Sequence, residues 1–191
     1  MMGSPISPIF PILISMPTIL RKFAESVLRL NTFLGQKVSW LSFALVLLIG
    51  LDVTLRYALG MTRIWVIELE TYLFSLLFLL GGPWTWARDE HVRVDIFYTQ
   101  KSPKQKRRIN LFGHLLLFLP WTWILMQVGW QFFYESWLIR EGSAQAGGLP
   151  ALYVIKFAML LGFVLLFLQG VAHTLLLLLN WNQTEDSSWQ H

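Results

Sequence analysis

The 191-residue chain is 55% hydrophobic and only 14% charged, with a mean hydropathy of +0.53, which is too apolar for a water-soluble domain of this length and places it in lipid. It has no cysteine, which excludes disulfides, thiolate metal sites and cysteine nucleophiles. The net charge of +4 comes from Lys and Arg grouped beside apolar stretches, where they read as topology signals facing anionic membrane lipids and not as a nucleic-acid footprint.

The first twenty residues are apolar but carry Pro5, Pro8, Pro11 and Pro17, a density that breaks an insertable helix. No basic stretch precedes them, so residues 1–20 read as a mobile leader and not as a cleaved signal peptide. From Arg21 the pattern changes. Phe23, Val27, Leu30 and Leu34 recur at helical spacing while Lys22, Glu25 and Arg29 occupy other faces, which predicts an amphipathic cytoplasmic helix over 21–37 on the membrane surface.

A helix needs about 20 apolar residues to cross the hydrocarbon core. Four stretches meet that length within a membrane domain spanning 38–180: Val38 to Tyr57, Ile64 to Trp86, Ile109 to Trp137, and Leu152 to Leu179. Each is apolar all round, as suits a span touching lipid on one side and protein on another. Pro120 is expected to kink the third span. Ala158 and Gly162 form a small-xxx-small pair on the fourth, a candidate for close helix contact. Between spans two and three, Val92 to Tyr98 reads as a short interfacial segment ending before Ser102-Pro103 and a basic turn. Residues 181–191 form a short tail.

Orientation follows from the basic residues, since cytoplasmic loops carry the excess. Arg21, Lys22, Arg29 and Lys37 precede span one, and Arg88, Arg93, Lys101, Lys104, Lys106, Arg107 and Arg108 lie between spans two and three. The opposite side has only Arg56, Arg63, Arg140 and Lys156. The expected fold is therefore all-α and integral to the membrane, with four spans and both termini cytoplasmic. Aromatic residues mark the boundaries: Tyr57, Trp65, Tyr134, Trp137 and Tyr153 at the outer ends, Trp40, Trp84, Trp86 and Trp181 at the inner ends.

Ionisable residues within spans are costly and need partners. Asp52 and Arg56, four apart, share a helical face and are expected to pair. Glu68 and Glu70 open span two and are expected to meet Arg56 and Arg63 across the short turn through Gly60. Glu135 and Lys156 are expected to join the outer ends of spans three and four. These groups read as a structural or partner-docking cluster in preference to an ion site, because they lie near the outer interface and neutralise one another. His114 and His173 fall at similar depth in spans three and four; two facing imidazoles are the ligand set of a membrane haem, set against hydrogen bonding between helices. Phosphate-loop, zinc-protease and nucleophile-elbow motifs are absent from the sequence.

Between Arg56 and Asp95 a series of short matches accumulates. Arg56-Tyr57 closes span one, Trp65-x-x-Glu68-Leu69 opens span two, Tyr72-Leu73-Phe74 and Leu80-Gly81 follow, and Ala87-Arg88-Asp89-Glu90-His91-Val92-Arg93-Val94-Asp95 leads out of it. This run resembles the small membrane subunit, the DctQ-like component, of tripartite ATP-independent periplasmic (TRAP) transporters. Ile67 departs from it, at a position where relatives carry a Glu next to the one matched by Glu68. A second run, with Glu141-Gly142, Gly147-Gly148-Leu149-Pro150, Tyr153-x-x-Lys156 and Leu168-Gln169-Gly170, is similar to a subgroup associated with organic acids such as 2-oxo acids.

The resemblance implies a non-catalytic scaffold in an obligate complex with a large membrane subunit that holds the substrate and sodium sites. A periplasmic binding protein would deliver the carboxylate. No cofactor is expected in this chain. Asp52, Arg56, Arg63, Trp65, Glu68, Glu70, Arg88, His91, Asp95, Glu135 and Lys156 are the structural or partner-interface candidates. Leu59, Arg63, Arg140, Glu141, Gly147 and Gly148 are the candidates for docking the binding protein. The alternative of a different class is a self-sufficient homodimeric transporter using Asp52 or Glu68 as its coupling carboxylate.

Overall fold

A computed structural model describes residues 17–88 and 101–179. His91, Asp95, the Val92 to Tyr98 segment, nearly all of the leader and the 181–191 tail lie outside the described residues. Four helices are long and apolar enough to cross a membrane, as the sequence predicts. With no water to satisfy backbone groups in hydrocarbon, helices that close all their own hydrogen bonds are the form available to such segments.

Helix α1 runs without interruption from Thr18 to Leu59, 42 residues, or about 63 Å at 1.5 Å per residue. The structure draws no boundary at Lys37 between a surface helix and a span. The stripe of α1 that packs on the rest of the protein is Ala24, Val27, Asn31, Gly35 and Val38, all buried. Of the apolar residues that suggest a surface helix, Val27 belongs to this stripe, whereas Phe23 and Leu30 are exposed. The buried residues are the smaller ones, because the neighbouring helix comes close. At Gly35 any Cβ would overlap the Trp84 side chain.

Gly60 ends α1 in the left-handed conformation, with φ 65°, and its amide reaches back to the Arg56 carbonyl at 3.1 Å. A residue without Cβ adopts this αL cap at no steric cost. Helix α2 follows after three residues, Ile64–Ala87.

The third crossing begins earlier than Ile109. Ser102 and Gln105 form a capping box, with the Gln105 amide donating to Ser102 Oγ at 3.4 Å and the Ser102 amide donating to Gln105 Oε1 at 3.1 Å. This cap, with Pro103 in the first turn, starts helix α3, Pro103–Phe112. The basic run Lys104 to Arg108 is therefore helical and not a turn. Next comes a π-helical segment, Gly113–Phe118, and then α4, Leu119–Leu138. Pro120 accounts for the wide turn: it has no N–H for the Leu116 carbonyl, and its ring would press on that carbonyl in a regular α-helix. The chain accommodates it by widening, with the Leu119 amide reaching His114 O five residues back. The expected disturbance at Pro120 thus appears as a π segment just ahead of it.

Helix α5, Tyr153–Leu179, organises the rest. It packs on α1, on α2 and on the α3–π–α4 rod, whereas α1 and α4 share no packed face. The result is an open arrangement around α5 and not a closed four-helix bundle. The contact that sets it is Gly162, where a Cβ would lie 2.8 Å from the Leu79 carbonyl oxygen of α2. Ala158, one turn earlier, is also buried, as the small-xxx-small reading anticipates. Large apolar side chains are exposed along α1 (Trp40, Phe43, Val46, Leu47) and α4 (Trp121, Trp123, Val128, Trp130), the surfaces left for lipid or a membrane partner.

Gly162→Ala is expected to push α5 off α2 and to destabilise the detergent-solubilised protein by about 1–3 kcal/mol, the usual range for overpacking. Gly50→Ala, at a site with nothing within 4 Å, should leave the melting temperature unchanged or slightly raised. Thermal unfolding of the two variants checks the difference.

Candidate functional site

The polar residues gather at the two ends of the helices. At the end carrying the 60–63 and 139–152 connections, which the charge distribution assigns to the outside, Asp52 and Arg56 form the expected ion pair within α1. Asp52 is 4% exposed, so its partner sits close to where its charge is least hydrated. Glu70 of α2 does not join the pair: its Oε1 is buried and has no hydrogen-bond partner among the described residues.

Glu68 does not join them. Instead it reaches across to the connection between α4 and α5, accepting hydrogen bonds from the Ser143 hydroxyl and from the Leu149 backbone amide, the latter at 2.6 Å. Arg63, expected beside Glu68, is exposed and has no ion-pair partner among the described residues. The reason is that Arg63 precedes α2 in extended conformation, φ −122° and ψ 119°, whereas Glu68 lies more than a turn inside the helix on the side of α5. Gly148 makes room for this anchor: a Cβ there would meet the Ser143 side chain and come within 2.8 Å of Glu68 Oε1.

The second tie is also re-partnered. Lys156 Nζ donates to Glu141 Oε2 at 2.5 Å, not to Glu135, which is exposed and has no ion-pair partner among the described residues. Glu141 lies in the connection itself, with its amide on the Ser136 carbonyl at 3.0 Å and its carbonyl receiving the Leu152 amide at 2.8 Å. It is thus held at the entrance to α5, within reach of Lys156. The Lys156 ammonium also lies 3.8 Å from the centre of the Phe132 ring. The hydrogen bond from Lys156 holds the Glu141 carboxyl below its ordinary range.

Arg140, with φ 51°, stacks its guanidinium 4.1 Å from the Trp137 ring centre, and Trp137 meets Tyr153 edge to face at 5.0 Å. Gly147 supplies a second left-handed turn, φ 80°. Leu59, Arg63, Arg140 and Gly147 are exposed on this end, and Trp65 is 40% exposed. Of the docking candidates, Glu141 and Gly148 are engaged in holding the loop, while the other four face outward.

At the opposite end His114 and His173 do come together. Their ring centroids are 4.9 Å apart, nearly perpendicular, with Trp86 5.8 Å from His173 and 5.4 Å from His114. His114 Nδ1 is 3.3 Å from the Thr174 hydroxyl. Imidazoles in direct edge-to-face contact leave no slot for a porphyrin between them, so this arrangement fits the helix-to-helix reading and not haem ligation. Phe118 of the π segment joins the knot at 4.3 Å from Trp86 and covers Gly170, where a Cβ would lie 2.5 Å from the ring. Arg88 closes this end of α2 with its guanidinium 5.4 Å from the Trp84 ring.

Nearby, Asn31 Nδ2 donates to Gln169 Oε1 at 2.8 Å, joining α1 to α5 with both residues fully buried. Sequence reading missed this pair and Ser143. Uncharged amides and hydroxyls carry no signal of pairing when their partners are 138 or 75 residues away. The one available hint was Asn31 itself, a polar residue at helical spacing from Val27 and Gly35.

Glu68→Gln should loosen the loop, speeding amide exchange at Leu149 by about tenfold or more, as expected for losing a hydrogen bond to a charged group; hydrogen-exchange mass spectrometry reads it. The Glu141–Lys156 tie should depend on acid. Because the folded-state carboxyl titrates below its ordinary value of 4.5, the stabilisation is complete above that value and is lost as pH falls through the depressed range. Loop exchange compared at neutral pH and below pH 4.5 should rise in the parent chain, and Lys156→Met should abolish most of that difference.

The family model for tripartite ATP-independent periplasmic transporters, DctQ component, matches residues 45–180. That stretch takes in the last third of α1, all of α2, the α3–π–α4 rod and α5, with the charged end and the His114–His173 knot. No curated protein matches the chain. A match over most of the sequence, on four apolar helices of spanning length, establishes that the chain belongs to the DctQ component family, the small membrane subunits of TRAP transporters, and is a transporter component and not an enzyme.

Proposed function

We propose that the chain is the scaffold subunit of a sodium-coupled TRAP transporter for organic acids, carboxylates such as 2-oxo acids or C4-dicarboxylates, in a bacterial inner membrane with both termini cytoplasmic. The observation that carries this reading is how the charges are used. Asp52, Glu68, Glu141 and Lys156 each bind a group of the same subunit, and two of the three ties brace the loop between α4 and α5. A transport path needs polar groups turned toward a substrate; here these four are turned toward the fold. The exposed apolar faces of α1 and α4 suit a subunit laid against a larger neighbour in lipid.

In this reading the large membrane subunit carries the sodium and substrate sites, and the periplasmic binding protein docks transiently on the outward end. Leu59, Arg63, Arg140 and Gly147 offer it an exposed patch, and the anchored 139–152 loop presents that patch in a fixed shape. Asp52, Arg56 and Glu70 set the α1–α2 hairpin that meets the large subunit.

Reconstituted uptake tests the proposal. Proteoliposomes holding this chain, the large subunit and the binding protein should accumulate a carboxylate under a sodium gradient, and liposomes holding this chain alone should not. Uptake by this chain alone would overturn the scaffold reading. Within the complete system Glu68→Ala should lower uptake by about tenfold while the large subunit still copurifies, since the loss of loop order falls on docking.

A further inference from the structure

The α3–π–α4 rod carries a feature that the scaffold role leaves unused. The widened turn at Gly113–Phe118 opens an apolar groove of about 480 Å³, walled by Gly113, Leu116, Leu117, Pro120, Trp121 and Ile124 and floored by Phe118. Leu116, Leu117 and Trp121 are 66%, 72% and 62% exposed, so the groove opens on the outer side of the rod, away from the His114 knot that faces α5. It exists because Gly113 contributes no side chain and because the π segment before Pro120 shifts the wall residues out of α-helical register.

Residues four apart share a helix face. Arg108 and Phe112 stand at that interval at the end of α3, and Phe112 leads straight into the π segment that walls the groove, so the cationic helix adjoins it. Arg108 and Lys101 are exposed, and among the described residues neither has an ion-pair partner. Eight residues separate Arg108 from Leu116, roughly 10–12 Å of helix. That matches the distance from a lipid phosphate to the upper part of its acyl chain, since one leaflet contributes about 15 Å of hydrocarbon.

We propose that this face is a binding site for one anionic phospholipid. The phosphate lies between Arg108 and Lys101, and an acyl chain fills the slot between Leu116, Leu117 and Trp121. The occupant is a lipid and not a protein helix because the groove is apolar and adjoins the cationic helix α3, where the exposed Arg108 and the neighbouring Lys101 complement an anionic headgroup. Filling the slot restores dispersion contacts that the π segment forfeits. The inference needs only that the rod lies in the membrane and is independent of the docking and substrate proposals.

Native mass spectrometry of the full chain in mild detergent, titrated with phosphatidylglycerol or with phosphatidylcholine, tests it. Phosphatidylglycerol should be retained preferentially, with inorganic phosphate unable to displace it. Arg108→Gln should lower its retention about fivefold, as should Lys101→Gln, from the usual contribution of one basic residue near a lipid surface. Leu117→Trp, which fills the groove and leaves the charges in place, should lower retention of phosphatidylglycerol by a similar factor. Phe78→Trp, on the exposed face of α2, should not. Equal retention of the two lipids would overturn the proposal. So would loss with Arg108→Gln but none with Leu117→Trp, which would mean surface attraction without a slot. If the chain purified with its large subunit retains no phosphatidylglycerol while Leu117→Trp weakens copurification, the groove takes a partner helix and the proposal fails.

Discussion

Everything in this subunit hangs on the close approach of α5 to its neighbours. Lipid offers no hydrophobic incentive for one apolar helix to prefer another, so association depends on dispersion at short range and on a few polar ties. At Gly162 the α2 backbone itself lies against α5, and at Gly170 the Phe118 ring does. A larger residue at either site would separate the helices and lose the surrounding contacts. Because these approaches fall on different sides of α5, one helix holds α2 and the third crossing at once, and α1 joins through Gly35 and the Asn31–Gln169 bond.

From that hub follow two ends of different character. The end with the 60–63 and 139–152 connections is braced by charge: Glu68 and Glu141 hold one loop from two directions, Glu68 by binding its far limb and Glu141 from its near limb by reaching Lys156. A buried or half-buried carboxylate is costly unless it is hydrogen-bonded, and both are. The opposite end is braced by rings and amides, with Trp86, His114, Phe118 and His173 in mutual contact. Stacked and edge-to-face rings resist sliding between helices without placing a net charge in the hydrocarbon. Between these ends the helices present apolar surface, so the subunit is rigid where it must offer a shape and plain where it must offer a surface.

The Pro120 region shows how one residue sets geometry beyond itself. A proline in a span removes one backbone bond, and the chain relieves the clash of its ring by widening the preceding turn. That widening brings Phe118 onto Gly170 on the inner face and leaves a groove on the outer one. The same local rearrangement therefore serves packing on one side and exposes a slot on the other.

By itself the sequence determined the number and approximate limits of the spans, the short turn through Gly60, the Asp52–Arg56 pair, the close contact at Ala158 and Gly162, and the family. These rest on length, on neighbours within one helix, or on residue types with few uses. What the tertiary structure decided was pairing over distance. Glu68 binds the far loop and not Arg63, Lys156 binds Glu141 and not Glu135, and Asn31 finds Gln169, because helix rotation about its own axis selects the partner and spans apolar all round give no sign of that rotation. The start of α3 lies between these cases. Ser102-Pro103 reads in the sequence as the start of a basic turn, and the Ser102–Gln105 capping box shows that the run after it is helical. Whether a polar residue near the membrane surface meets solvent, lipid or another helix depends on which neighbour arrives, and only the close approach of α5 settles it.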